Sequence, residues 1–397
     1  MHKNKFITPE GTRDILFEDC AARRKVEAKI KDLFISRGFS EVITPGIEFY
    51  DVFSSESHGV SQETIYKLID HKGRLLALKP DLTMPIARLA ATRLRDQARP
   101  LRLYYSQNIY TMTPALTGRS DEVPQIGVEI IGAGGKRTDL EVLVLALEAL
   151  QSCELDDFRL EIGHIGFFST LIQKLHLDTE QTEEVRTLIQ NKNYPALNDM
   201  LDKMEDKKTA AALKKLPALF GGEEVLDEAA STLDCPELMP FLDALRSLYH
   251  SLAELGLGDR VSLDLGIVNR TDYYTGIVFK GYIEGLGTTA LQGGRYDSLL
   301  SDYGKDEPAV GFSINVDAVA KVLLPSMPKN PVPDVLVFAE EGYEVKALLE
   351  IRKLVSHGFC AEFSTFDTFD ESRRYAVKRG IPTVYVVNED LVEVRLS

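Results

Sequence analysis

Strand patterns in this chain come in runs, not in regular alternation with helices, and that order limits the possible fold more than any other feature. FSEVITPGIEFYDVF (39–53), RLLALKPD (74–81), LRLYYSQNIYTM (101–112) and QIGVEIIGAG (125–134) read as successive strands joined by long connections. A parallel sheet needs a crossover helix between paired strands, so this order predicts an antiparallel sheet flanked by helices. Pro45, inside the first pattern, favours an edge position or a bend. A helix precedes the sheet, because Ile15, Ala22, Val26, Ile30, Leu33 and Phe34 recur at helical spacing and the pattern stops at Arg37-Gly38. A second helix covers 139–152, and FRLEIGHIG (158–166) returns to strand.

From about 167 to 255 the pattern turns helical, polar and turn-rich, as an inserted helical module does. Strands resume at VSLDLGIV (261–268), YYTGIVFKGYI (273–283) and TTALQGGRYD (288–297), followed by AVGFSINVDAVAKVLL. PSMPKNPVPD (325–334) holds four prolines in ten residues and reads as a linker. The rest alternates strand and helix, so a small α/β domain is expected. The expected boundaries are 1–324 for the core, with the insertion at about 167–255, then 325–333 for the linker and 334–397 for the last domain.

Composition narrows the function. The formal net charge is −15, whereas proteins that grip nucleic acid need a basic surface for the phosphates. The apolar runs are too short for the ~20 residues that span a bilayer. The N-terminus lacks the apolar stretch of a signal peptide. Cys20, Cys153, Cys235 and Cys360 are far apart with no CxxC pair, and the seven histidines show no metal-ligand spacing. A cytoplasmic protein without a disulfide framework, metal or cofactor is the expectation. GAGGKRT (132–138) lacks the spacing of a phosphate-binding loop.

Eight segments then point to a family. GTRDIL (11–16), RGFSEVITPGIE (37–48), LALKPDLTMPIAR (76–88), LRLYY (101–105), QIGVEIIG (125–132), NRTDYYTGIVF (269–279), GGRYDSLL (293–300) and AVGFSI (309–314) resemble, in order, those of histidyl-tRNA synthetases. The resemblance implies an α+β fold of the class II aminoacyl-tRNA synthetase type. That fold has an antiparallel sheet with flanking helices, an inserted helical module, a small C-terminal α/β domain and a dimer formed through the first motif.

Departures from the pattern bear on activity. Joining a carboxylate to the α-phosphate of ATP concentrates negative charge, which positioned cations stabilise, and arginine grips phosphate oxygens with a planar fork. The family's three arginines for this task align here with Thr111, Asn269 and Ala318, and Thr113 and Pro114 replace the charged residues downstream. Arg270 could stand in for one of them if the alignment slips by a residue; Arg119 alone survives from the second-motif loop. Asp121 and Glu122 are read as part of a solvated loop. No catalytic residue is expected.

The amino-acid pocket is retained in the same comparison. Asp81 and Thr83 match residues that hold the α-amino group. Gln125 and Glu129, spaced to share one face of a strand, match residues around the amino and imidazole positions. Tyr273 and Tyr274 match the tyrosine pair near the imidazole, and Gly293 and Gly294 allow a ring to approach the backbone. With Arg119 these form the expected histidine site. Such a combination is similar to the regulatory subunits of ATP phosphoribosyltransferase. That resemblance implies a catalytic-subunit partner, histidine as the feedback signal, and a homodimer within a larger hetero-oligomer. Between Pro331 and Ser397 twelve acidic side chains face eight basic ones, a poor composition for reading an anticodon, so tRNA binding is not expected. A divergent active histidyl-tRNA synthetase remains the alternative, and a synthetase-like protein with another role a third.

Overall fold

In a computed structural model the protein is described over residues 6–54, 61–113, 120–268, 273–327 and 332–396. It forms two compact units, 1–325 and 326–397. A nine-stranded sheet organises the first. Its order is Ser40–Glu41, Leu101–Tyr110, Glu122–Ile131, Ala309–Asn315, Leu291–Arg295, Ile277–Ile283, Phe158–His164, Val261–Asp264 and Phe220–Gly221. The six strands from Leu101–Tyr110 to Phe158–His164 pair antiparallel throughout. Parallel pairs flank them, Ser40–Glu41 on one side and Val261–Asp264 on the other. The result is a mixed sheet with an antiparallel centre.

One face of that centre packs on helices. The helix Phe17–Ser36 buries Ala22, Val26, Ile30 and Phe34, spaced four apart along one stripe. Phe34 meets the rings of Tyr104 and Phe312 at 6.0 Å. Burying a side chain of this size stabilises by roughly 1.5–3 kcal/mol. The helices Lys136–Ser152 and Val316–Leu323 complete the layer. The pattern around Pro45 divides in two: Ser40–Glu41 edges the large sheet, whereas Ile47–Phe49 joins Leu75–Leu78 and Lys67–Ile69 in a separate three-stranded sheet. The helix Thr83–Ala91 after the KPDL segment is an element that the strand patterns do not announce.

Helices from Gly166–Leu175 to Met239–Glu254 make up the inserted module. The second unit is a four-stranded sheet in the order Ala361–Phe363, Val335–Ala339, Thr383–Val387 and Leu391–Arg395. The helix Glu344–Ser356 packs through Ala347 and Leu354 on one face, and Phe369–Arg379 through Ala376 on the other.

Candidate functional site

Alternation along the strand Glu122–Ile131 turns Gln125, Gly127 and Glu129 to the face away from the Phe17–Ser36 helix. Glu129 is 1% exposed. Its carboxylate accepts from the Tyr296 hydroxyl at 2.5 Å and from Thr83 Oγ1 at 2.9 Å. The neighbouring strand makes room for it: a Cβ on Gly311 would lie 1.7 Å from Glu129 Oε2. Asp81 accepts from the backbone N–H of Met84 at 2.9 Å, which ties it to the start of the Thr83–Ala91 helix, and the Tyr273 hydroxyl reaches it at 3.5 Å. Tyr273 packs against Tyr274 at 4.9 Å and edge-on to Tyr296 at 5.7 Å.

Asp81, Thr83, Gln125, Glu129, Tyr273 and Tyr274 therefore line one pocket. Arg119 and Asn269 lie outside the described residues, as do Pro114 and Arg270. Tyr105, Tyr296 and Ser313 line the same pocket and were not singled out in the sequence. The GGRYD motif contains Tyr296 and is the signal that could have found it. Gly294 does admit a ring, but the ring is the protein's own, since a Cβ there would meet Tyr274 at 2.7 Å; Gly293 faces Phe279 in the same way.

Burial dominates the electrostatics. It pushes the Glu129 carboxyl up to about 8, with Asp81 adding to the rise, although bonds from Tyr296 and Thr83 oppose it. Burial likewise raises the Tyr273, Tyr274 and Tyr296 hydroxyls. A neutral, buried acid beside a second carboxylate is prepared to ionise when a cation arrives. The cavity is about 60 Å³, less than the ~150 Å³ that holds a benzene-sized ligand. An amino acid enters only if these side chains move apart.

The hairpin end of the same strand pair is different. Asp121 is 7% exposed, not solvated. Its carboxylate accepts from Thr113 N at 2.9 Å, from Thr113 Oγ1 at 2.6 Å and from the Tyr66 hydroxyl. Gly11, at φ +73°, crosses so closely that a Cβ would sit 2.3 Å from the Asp121 carboxyl carbon. Burial raises the Asp121 pKa, but the Thr113 and Tyr66 bonds outweigh it and hold it below the usual value. Asn108 at 2.5 Å and Tyr110 at 3.3 Å donate to Glu122. Two acidic side chains thus occupy the base of the loop where the resemblance puts phosphate-binding cations. At the third motif, Asn315 caps Ala318 N at 3.1 Å, and Asp317 pairs with Arg23 and Arg13. Among the described residues, no group of His, Cys, Asp and Glu could hold a metal ion.

Sheet, inserted module and pocket together define a protein of the histidyl-tRNA synthetase class. Residues 11–319 match the histidyl-tRNA synthetase family. The structure aligns with a histidyl-tRNA synthetase from Nostoc sp. PCC 7120 at a TM-score of 0.75 and 21% identity, covering 98% of this chain and 97% of that one; this likeness is one of fold. Within the class the chain belongs to the ATP phosphoribosyltransferase regulatory subunits. It is 42% identical to the Clostridium kluyveri regulatory subunit, covering 95% of this chain and 97% of that protein. It is 37% identical to the one from Bacillus cereus, covering 99% and 94%. A solved structure described as an ATP phosphoribosyltransferase regulatory subunit/histidyl-tRNA synthetase from Bacillus halodurans aligns at a TM-score of 0.83 and 29% identity, over 96% of this chain and 98% of that one. The chain is thus a non-catalytic regulatory subunit in histidine biosynthesis, and not a divergent synthetase.

Proposed function

We propose that this chain assembles with a short ATP phosphoribosyltransferase catalytic subunit in the cytoplasm, is required for the full activity of that complex, and reports histidine to it. What supports this reading is the contrast within one strand pair, where the Glu129 pocket lies beside an end that carries Asp121 and Glu122 and, at Thr111, no cation. Histidine binds through Asp81, Thr83, Gln125, Glu129, Tyr273 and Tyr274, with Arg119 as a further contact. Its ammonium meets the carboxylates, and its ring lies by the tyrosine pair. Because the pocket is too small as it stands, binding is tied to an opening of its walls, and a ligand shifts a complex only by binding its states differently. A coupling of about 1–3 kcal/mol, 5- to 150-fold in affinity, is the usual scale.

A homodimer is part of the reading. Ile47, Phe49 and Leu68 lie on one face of the three-stranded sheet and remain exposed, with Ile43 76% exposed nearby. An apolar face of this kind on a first-motif element fits a partner subunit. The test mixes purified chain and catalytic subunit, follows phosphoribosyl transfer and titrates histidine. Co-elution, higher activity in the mixture and histidine inhibition are expected. A catalytic subunit equally active alone, or indifferent to this chain, refutes the reading.

A further inference from the structure

A second cavity of about 720 Å³ lies farther along the sheet, between its face and the inserted module. Its floor is charged. Lys280 stands directly opposite Glu161 on the adjacent strand, Glu161 opposite Ser262 on the next, and Asp264 lies two residues beyond Ser262. Lys192, just after the helix Thr179–Gln190, faces the same space, with Tyr194 and Phe220. Burial raises the Glu161 and Asp264 carboxyls, and the fields of Lys280 and Lys192 pull both back. Burial lowers Lys280, against the fields of Asp264 and Glu161. The four groups act on one another through space; no hydrogen bond joins one to another. The Ser262 hydroxyl, 2% exposed, has no partner among the described residues.

Two carboxylates and two ammoniums held apart around one cavity form an arrangement that a ligand can complete. Glu161, Asp264 and Lys280 are half-buried. Asp264 accepts from the Gly266 N–H at 2.9 Å and Glu161 from the Tyr282 hydroxyl, but none is in contact with an opposite charge. The cost of burying them falls when a complementary group bridges them. A phosphate is disfavoured by the two floor carboxylates, a bare metal ion by the two lysines, and an apolar molecule by all four. The lining charges sum to zero, so a ligand of no net charge that carries both signs fits best. We propose that this cavity is a second ligand site, distinct from the Glu129 pocket, for an amino-acid-like zwitterion with a bulky flat side chain. Its ammonium lies between Glu161 and Asp264, its carboxylate meets Lys280 and Lys192, and its side chain lies against Tyr194 and Phe220. The volume falls in the 300–1,000 Å³ range of small-molecule sites. Gln292 lines both cavities, so the two sites are neighbours.

Calorimetry on the full chain tests this with L-tryptophan, L-phenylalanine and L-histidine, alongside tryptamine and indole-3-propionate, which each lack one charge, and adenosine. L-tryptophan or L-phenylalanine is expected to bind the wild type, with the single-charge analogues at least tenfold weaker for the indole series, and L-histidine reports on the first pocket. Lys280→Met and Glu161→Gln should each weaken that binding tenfold or more, whereas Glu129→Gln leaves it unchanged. Thermal melts check that the variants fold, and Lys192→Met, on an exposed loop, gives the same reading if they do not. Failure of both L-tryptophan and L-phenylalanine to bind, binding of adenosine alone, or tryptophan or phenylalanine binding that Glu129→Gln abolishes and Lys280→Met and Lys192→Met leave unchanged overturns the proposal. Loss of histidine binding in Glu129→Gln bears only on the first pocket.

Discussion

The strands Leu101–Tyr110 and Glu122–Ile131 carry the Glu129 pocket and the Asp121–Glu122 pair within a few residues of each other. Gln125 pairs with Gln107 and Glu129 with Leu103, whereas Glu122 pairs with Tyr110 at the hairpin end. Three residues of strand, roughly 10 Å, separate Gln125 from Glu122. At one end a buried carboxylate keeps its hydrogen bonds and its pocket. At the other, Asp121 and Glu122 have hydrogen-bond donors of their own. The altered end is therefore rebuilt, not eroded. A fold can discard a reaction by losing the cations at one edge while the packing beneath it stays in place.

The largest effect that could break this comparison is chemical. Histidine-dependent exchange of pyrophosphate into ATP should lie at least ~10³-fold below that of an active synthetase, because losing one positioned donor already costs 10²–10³ in rate and Thr111 and Ala318 supply no cation. Exchange at a synthetase-like rate would mean that the hairpin end still works. The next effect concerns the frame of the retained end. Arg295, 6% exposed, donates to Asp139 at 2.8 and 2.5 Å and so fastens the GGRYD strand to the helix Lys136–Ser152. Asp139→Ala should destabilise by about 3 kcal/mol, the low end for breaking a buried ion pair, because Asp297 still holds the guanidinium at 2.9 Å. Urea unfolding reads the change; a loss under ~1 kcal/mol would show that the pair does not hold the strand.

Glu129 sharpens the comparison through its proton. Its pKa rises from 4.5 when exposed to about 8 when folded, so the folded chain holds a proton that the unfolded chain has released. This contribution to stability is complete below about 4.5 and is lost as pH rises towards 8, by at most ~1.4 kcal/mol per pH unit. Glu129→Gln should flatten that slope in urea titrations at successive pH values, and an unchanged slope would assign it to other groups. Histidine binding should also expel this proton near pH 7, which makes the heat depend on the buffer's own ionisation. A buffer-independent heat would place the ligand away from Glu129.

How much of this was readable follows from the range of each contact. Gln125 and Glu129 share a face because strands alternate, which a sequence displays directly. The helix Phe17–Ser36 and the bend at Pro45 are equally local. The burial of Asp121 is not, because Gly11, more than a hundred residues earlier, passes over it and turns an acidic loop residue into an enclosed one. Tyr296 reaches Glu129 across 167 positions, and no spacing rule joins them. The small volume of the pocket depends on how the Tyr273, Tyr274 and Tyr296 rings pack, which residue identity alone does not specify.

The smallest effect lies where the third arginine is missing. The helix Val316–Leu323 begins with Asn315, whose side-chain oxygen accepts from Ala318 N at 3.1 Å. In an active site of this class that helix end would help hold a phosphate; here a neutral cap fills the role of terminating the helix, and Asp317 beside it is bound to Arg23 and Arg13. The end is thus satisfied internally, and its value is structural. Asn315→Ala should cost about 1 kcal/mol, the usual loss of an N-cap, with histidine affinity unchanged within twofold, because Asn315 does not line the Glu129 pocket. Asn315→Asp, which keeps an acceptor and adds a charge that the helix N-terminus favours, should restore the stability. If Asn315→Ala instead shifts histidine affinity tenfold at unchanged stability, the third-motif helix still communicates with the amino-acid pocket, and the two ends of the site are less independent than their chemistry implies.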